Sequence, residues 1–220
     1  MGLYPICYPP TVDERVDILD AGGRPTGRIA WKSEAHRDGL WHRCFHLWIC
    51  DPEGPYLLVQ RRAHEKDTWP GYLDVAVAGH LAVGETAKEG VREAEEELGL
   101  RVDPERLVSL GTRRIEQDIP AGCDREFHEV FLLLDAVPLR RLRLQAEEVD
   151  AVIRFPLAEA ERLDAGEEVA AEEWREGRLS NTSISLADFV PKGEGAISLV
   201  ASAAREAIGG ETPRPVFSPF

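Results

Sequence analysis

Three observations place this 220-residue chain in the α/β class, with a mixed sheet covered by helices on both faces. Short runs rich in β-branched and aromatic residues recur before and after one central amphipathic segment, residues 87–98. Two further helical patterns come late, at about 158–163 and 195–208. Strands flanking a helix, with more helices to follow, bury their apolar faces best as stacked layers.

Taken in order, residues 15–19 read as a strand, Ala21-Gly22-Gly23-Arg24-Pro25 as a turn, and residues 26–31 as the returning partner. Residues 44–50 and 56–61 are apolar strands around Asp51-Pro52-Glu53-Gly54, whose residue types favour a tight turn. Residues 73–78 form one strand that runs into a glycine loop and then the central helix. A second hairpin spans 107–115 and 126–134 around Pro120-Ala121-Gly122. A short strand at 152–155 precedes the helix at 158–163. After it come Asp188-Phe189-Val190-Pro191, the helix at 195–208 and a proline-rich extended tail. The expected organisation is a main domain over residues 12–165 and an extension over 166–220, packed on the domain or on a partner subunit.

Composition narrows the classes. With 43% hydrophobic residues the chain can build an ordinary core, and no apolar run approaches the ~20 residues that span a membrane. The N-terminus lacks a basic segment followed by an apolar core, and Met1-Gly2 with Ile6 does not make a myristoylation motif. Cys7, Cys44, Cys50 and Cys123 lack CxxC spacing and are too sparse for a disulfide framework, so a reduced cytoplasm is the expected home. A formal charge of −14 speaks against a nucleic-acid partner, which calls for a basic footprint, yet leaves room for a small anion held by local cations.

The chemistry concentrates in residues 79–100, GHLAVGETAKEGVREAEEELGL. On a helix, Ala87, Val91, Ala94 and Leu98 form the apolar stripe, and Glu93, Glu96 and Glu97 project from the other side as neighbours at offsets of zero, three and four. Like charges so placed repel by a few tenths of a kcal/mol per pair. A divalent cation turns that repulsion into ligation, and hard oxygen ligands suit Mg²⁺ or Mn²⁺. Gly79 and Gly84 allow the preceding backbone to approach a phosphate or metal closely. A solvated acidic helix face is the alternative for the glutamates alone. Gly79, Arg92, Gly99 and Leu100 in register with them favour the functional reading.

That register resembles the signature of the Nudix hydrolases, Gly-x5-Glu-x7-Arg-Glu-U-x-Glu-Glu-x-Gly-U with U aliphatic. Gly79 and Glu85 match its first half, and Arg92, Glu93, Glu96, Glu97, Gly99 and Leu100 its second, with Ala94 at an aliphatic position. Six residues separate Glu85 from Arg92 where the family has seven, a shortening that falls at the turn into the helix. The resemblance implies a Nudix-type α/β/α sandwich over roughly residues 12–165, with an appended C-terminal helical segment. It also implies a metal ion held by Glu93, Glu96 and Glu97 with the Gly79 carbonyl, and Glu85 supporting Arg92. The implied reaction is Mg²⁺- or Mn²⁺-dependent hydrolysis of a diphosphate linkage in a nucleoside diphosphate derivative or related organic pyrophosphate, with one of these glutamates or Glu129 taking the proton from water.

A second likeness narrows the branch. Ala35-His36, Leu40-Trp41-His42, Arg61-Arg62-Ala63, Lys66, Trp69-Pro70-Gly71 and Ala78-Gly79-His80 occur in the order found in type 1 isopentenyl-diphosphate isomerases, which share the superfamily. This implies a metal site at His36, His42 and His80 with two glutamates from a later strand, and a diphosphate held by Arg62 and Lys66. One of those glutamates aligns with Glu129, the other with Phe127, and the isomerase's catalytic cysteine position is Ala78. Read without the likeness, Arg61, Arg62 and Lys66 are surface charges, the histidines packing residues, and Trp69-Pro70-Gly71 a structural turn. The sequence therefore favours a hydrolase on an isomerase-like scaffold, with an isomerase-like enzyme or a non-catalytic nucleotide-binding module as alternatives. The expected partner is a small diphosphate substrate; a homodimer is compatible, and selectivity is expected in residues 112–126 and 165–190.

Overall fold

Residues 15–31 fold on themselves first: β1 (Arg15–Leu19) and β2 (Pro25–Trp31) pair antiparallel as a separate two-stranded sheet. The computed structural model describes residues 13–191 and 195–218; the readings of the first twelve residues, Cys7 among them, lie outside the described residues. A short helix not foreseen from the sequence, α1 (Lys32–Asp38), follows and is closed by Gly39 in the left-handed conformation, φ 61°.

The central sheet is built on β3 (His42–Asp51), apolar and buried over nearly its whole length. It turns through Asp51-Pro52-Glu53-Gly54 into β4 (Tyr56–Arg62). The strand expected over 73–78 is in fact two. β5 (Leu73–Val75) pairs with β4, and β6 (Val77–His80) pairs with β3. The break at Ala76 has a topological cause. The last residues of β3 pair with β4 while Cys44–Leu47 pair with β6, so the chain crosses from one partner to the other along the same edge. The two partners diverge there, leaving an opening in the sheet.

The glycine loop enters a 3₁₀ turn at Glu89–Val91 and then α2 (Arg92–Leu98), closed by Gly99 at φ 66°. β7 (Val108–Ile119) and β8 (Gly122–Leu134) form the long second hairpin. β8 runs parallel to β3 along its other edge, which makes the sheet mixed. β9 (Val149–Pro156) pairs with β4, and α3 (Ala160–Asp164) follows. The sheet then continues beyond residue 165 in a hairpin the sequence reading overlooked, β10 (Val169–Arg175) and β11 (Arg178–Ile184), with β10 against β9. α4 (Ala196–Ile208) is the late helix.

Side chains on β3 and β8 alternate between two cores. Trp48, Cys50, Val130 and Leu132 join α3 and α4 on one face; Phe45, Leu47, Ile49, Phe131 and Leu133 join Ala94 and Leu98 of α2 on the other. The architecture is the α/β/α sandwich expected. α4 is part of it: Ile197, Val200, Ala201 and Ala204 are wholly buried. The tail crosses β7, where the Val216 and Phe217 amides donate to the Leu110 carbonyl. Gly111 at φ 99° permits that crossing, since a Cβ there would sit 2.1 Å from the Phe217 carbonyl oxygen.

Truncating Ile197→Ala on the buried side of α4 is expected to cost about 2–5 kcal/mol, whereas Leu199→Ala, 42% exposed on the same helix, should stay within about 0.5 kcal/mol. Chemical denaturation of both variants checks the pair.

Candidate active site

Beyond the end of α4 the sheet floor is lined by polar side chains, and a cavity of about 290 Å³ lies over it. β8 supplies Asp124, Glu126 and His128, β3 supplies Cys44 and His46, and β7 supplies Arg113, Ile115 and Gln117. These are i, i+2, i+4 positions, the face that becomes the α4-side core further along each strand.

At one end of the cavity four residues converge from four elements: His36 of α1, His42 of β3, His80 of β6 and Glu126 of β8. One potential ligand atom from each lies within 4.8 Å of all the others. Glu126 Oε1 is 3.5 Å from both His42 Nε2 and His80 Nε2 and 3.7 Å from His36 Nε2. Glu126 Oε2 sits 2.6 Å from His128 Nε2. His36 Nε2 and His80 Nε2 face each other at 3.1 Å. Because the Leu40 carbonyl can only accept, His42 Nδ1, 2.8 Å away, carries the proton. Its buried Nε2 is left without a hydrogen-bond partner, as is Asp124 Oδ1, 3.7 Å from His36 Nε2. A ring anchored through Nδ1–H with its other nitrogen bare is how a metal-ligating histidine is held. The donor set therefore fits a divalent cation.

Charge supports the same reading. Burial pushes the His36 pKa down to about 4, against the pull of Glu126, and lowers His80 well below its usual value for the same reason. Burial also opposes charge on His42, but Glu126 outweighs it and raises the pKa. Burial works against the Glu126 carboxylate too, yet the close imidazoles of His128, His42 and His80 hold its pKa well down. Asp124 is raised to about 7 by burial and by the Glu126 charge.

The glutamates of α2 reach the same cavity from the opposite side of the sheet, at the opening between β4 and β6. They do not all project away from the apolar stripe. Glu93 and Glu97 are buried on its flank, 7% and 4% exposed, and only Glu96 stands at the rim. Glu97 accepts from the Gln60 amide at 2.9 Å and from the Ala78 backbone amide at 3.3 Å. Glu93 lies against Gly79, where an added Cβ would come within 2.2 Å of its carboxyl carbon. Desolvation raises the Glu93 pKa to about 7 despite Arg92, and raises Glu97 well above the carboxylate range, with the Glu93 charge adding to it.

All three glutamates line the cavity, but among the described residues only the histidine group gathers its ligand atoms within 4.8 Å of one another. Arg92 is the reason. Its guanidinium contacts Glu93 at 2.8 Å, Glu96 at 3.2 Å and Glu85 at 2.8 Å, and donates to the His80 carbonyl at 3.0 Å. The six-residue spacing from Glu85 thus leaves their ion pair intact.

Arg62 and Lys66 also line the cavity, but both are engaged. Arg62 donates to the Thr68 carbonyl and to Asp74, and Lys66 pairs with Glu148. Glu129 is not brought to the site. It pairs across from Phe45 on the other face of β8 and accepts from the Thr112 hydroxyl at 3.0 Å. Phe127 points the same way and packs against Trp41, ring centroids 5.0 Å apart and tilted by 41°. The alignment that put strand carboxylates at 127 and 129 was out of step with the pleat, since an odd offset changes face. The carboxylate that the structure brings to the histidines is Glu126. The alternation Asp124, Glu126, His128 in an otherwise apolar strand was the overlooked signal.

The NUDIX domain family matches residues 40–174. The chain is 34% identical over 198 residues to an uncharacterised Nudix hydrolase of Clostridium acetobutylicum, covering 86% of this chain and 95% of that one. It is 34% identical over 128 residues to the Escherichia coli isopentenyl-diphosphate Δ-isomerase, covering 58% and 70% respectively. A solved structure from Deinococcus radiodurans superposes with a TM-score of 0.52 at 25% identity over 70% of this chain and 91% of that one. With the Glu85–Arg92 pair and the inward glutamates in place, the chain belongs to the Nudix hydrolase family. Its likeness to the isomerases marks the branch.

Two outcomes follow for the metal-free protein. Replacing Gly79 with Ala forces Glu93 aside, so Mn²⁺ uptake measured by calorimetry should weaken at least about tenfold while the circular dichroism spectrum is kept. The folded chain also holds a proton on Glu93 that the unfolded chain releases between pH 4.5 and about 7. That carboxylate's contribution to stability therefore falls as pH rises through this window, and metal affinity rises over it because ligation needs the ionised form. Denaturation and Mn²⁺ titration at pH 5, 6, 7 and 8 check both signs.

Proposed function

We propose that this chain hydrolyses a diphosphate linkage in a nucleoside diphosphate derivative or related organic pyrophosphate, using Mg²⁺ or Mn²⁺. One observation carries the reading: the histidine–carboxylate cluster, the buried glutamates of the Nudix box and the cationic side chains Arg62 and Lys66 border one cavity.

His36, His42, His80 and Glu126 would hold one cation, and Glu93, Glu96 and Glu97 with the Gly79 carbonyl a second. Cations bound there offset phosphate charge and make a bound water more acidic. Arg62 and Lys66, fixed by Asp74 and Glu148, border the pocket as positioned charges that orient the diphosphate. Glu93, with its pKa near neutrality, has the proton affinity a general base needs.

Purified protein given Mg²⁺ or Mn²⁺ is expected to release phosphate or a nucleoside monophosphate from some member of a panel of nucleoside diphosphate sugars, dinucleoside polyphosphates, oxidised nucleotides and coenzyme diphosphates. Glu93→Gln and Glu97→Gln should each lower that activity by about 10²- to 10⁴-fold without loss of fold. Glu95→Gln, on the exposed side of the same helix and paired with Arg101, should leave it unchanged. Full activity in the two buried-residue variants would remove the assignment.

The histidine–carboxylate cluster favours a second reading, double-bond isomerisation of isopentenyl diphosphate. Ala78 stands against it, and burial keeps the neighbouring Cys44 thiol protonated by raising its pKa well above normal. Incorporation of deuterium from solvent into that substrate would decide for it; hydrolysis without exchange decides for the first.

A further inference from the structure

Lys32, Arg62, Lys66 and Arg113 are the lysines and arginines lining the cavity. Arg62 and Lys66 are spent on protein partners, as described. Lys32 lies on α1 beside the histidines, where its charge disfavours their protonation. Arg113 stands on β7 opposite His128 of β8. Like Lys32 it makes no side-chain hydrogen bond or ion pair with the described residues, but of the two it alone carries a planar fork that can take two oxygens at once. The nearest compensating charge is Asp74, already bonded to Arg62. Burial pushes the Arg113 pKa down to about 10, so the guanidinium is desolvated without being neutralised.

A guanidinium in that state is costly to keep. It forgoes hydration, and its five donors find no acceptor among the described residues. Its neighbour Arg114 shows the contrast: it faces outward on the same strand, stacks over Trp41 at 4.2 Å and pairs with Glu116. The planar fork of arginine matches two oxygens of a phosphate group, and in a water-poor cavity such a bond is worth more than at the surface.

We propose that Arg113 is the phosphate anchor of this cavity: its guanidinium takes non-bridging oxygens of the substrate's diphosphate from the β7 wall, while the α2 glutamates and the histidine cluster hold cations on the other side. The inference rests on the proposed diphosphate chemistry and assigns the group that recognises the anion. Arg62 and Lys66 then hold their place with donors already occupied, and Arg113 is the lining guanidinium with donors open among the described residues.

The test needs no turnover. Methylene diphosphonate, which cannot be hydrolysed, is titrated by calorimetry into the Mn²⁺-loaded wild type, Arg113→Ala, Arg113→Lys and Arg114→Ala. Arg113→Ala is expected to weaken binding about 10- to 100-fold, the size of one or two charge-assisted hydrogen bonds. Arg113→Lys should recover part of it, and Arg114→Ala should match the wild type. Without the anion, Arg113→Ala should take up Mn²⁺ normally and melt no lower than the wild type, since it removes an uncompensated charge; with the anion, the wild type and Arg114→Ala should gain the most thermal stability, Arg113→Lys less and Arg113→Ala least. Equal anion affinity in the wild type and Arg113→Ala, or no uptake by the Mn²⁺-loaded wild type, overturns the proposal. A chain that binds the anion through Arg113 yet hydrolyses nothing in the panel leaves the anchor standing and removes the hydrolase reading alone.

Discussion

The Arg92 guanidinium is the joint on which the site depends. One side chain grips Glu85 from the glycine loop, the His80 carbonyl from β6, and Glu93 and Glu96 from its own helix. Burial disfavours its charge, but the Glu85 hydrogen bond and the nearby carboxylates outweigh that and raise its pKa, so the guanidinium itself stays charged. Through the His80 backbone the same group sets where the His80 ring stands, which makes Arg92 the physical link between the α2 glutamates and the histidine cluster. The short spacing from Glu85 is absorbed by the 3₁₀ turn at Glu89–Val91, because that turn can tighten without moving either end of the ion pair.

Around that joint the cavity is arranged so that acids are held at two different proton affinities. Glu126 is kept ionised by imidazole donors, and Glu93, Glu97 and Asp124 are pushed upward by burial and by one another. Carboxylates crowded this way without a cation store unfavourable charge, which a divalent ion relieves on binding. The empty-handed lone pairs of His42 and Asp124 belong to the same pattern. The strain sits in the polar floor alone: α3 and α4 cover the rest of that face with close-packed aliphatic side chains.

Much of this was legible in the sequence where period and chemistry agreed. The first hairpin, β3 and β4, the acidic helix and α4 follow directly from apolar periodicity and turn residues. α1 was missed because its seven residues, KSEAHRD, carry almost no apolar stripe; only Ala35 is buried. The β10–β11 hairpin was missed because its outer strand is exposed nearly throughout and shows no alternation. The break of 73–78 into two strands cannot be read locally, since it records which neighbours β3 has at each end. At the site, the acidic trio was legible from its spacing and the three histidines only through the likeness to the isomerases, and residues 112–126 do line the cavity through Arg113, Ile115, Gln117, Asp124 and Glu126.

Glu129 shows why a sequence match on a strand is weaker than one on a helix. In a helix, an error of one residue rotates a side chain by about 100°, and a long side chain can still reach the same neighbourhood. In a strand the same error sends the side chain through the sheet into the other core. The apolar context gave no warning, because Phe127 and Glu129 alternate as regularly as Glu126 and His128. What separates the two sets is the partner strand: parallel pairing sets Glu126 beside His42 and His128 beside Cys44, while Glu129 lies beside Phe45. Which face becomes the polar floor is therefore a property of the β3–β8 register, and the histidines of β3, themselves spaced by an even number, carry that register in their own spacing.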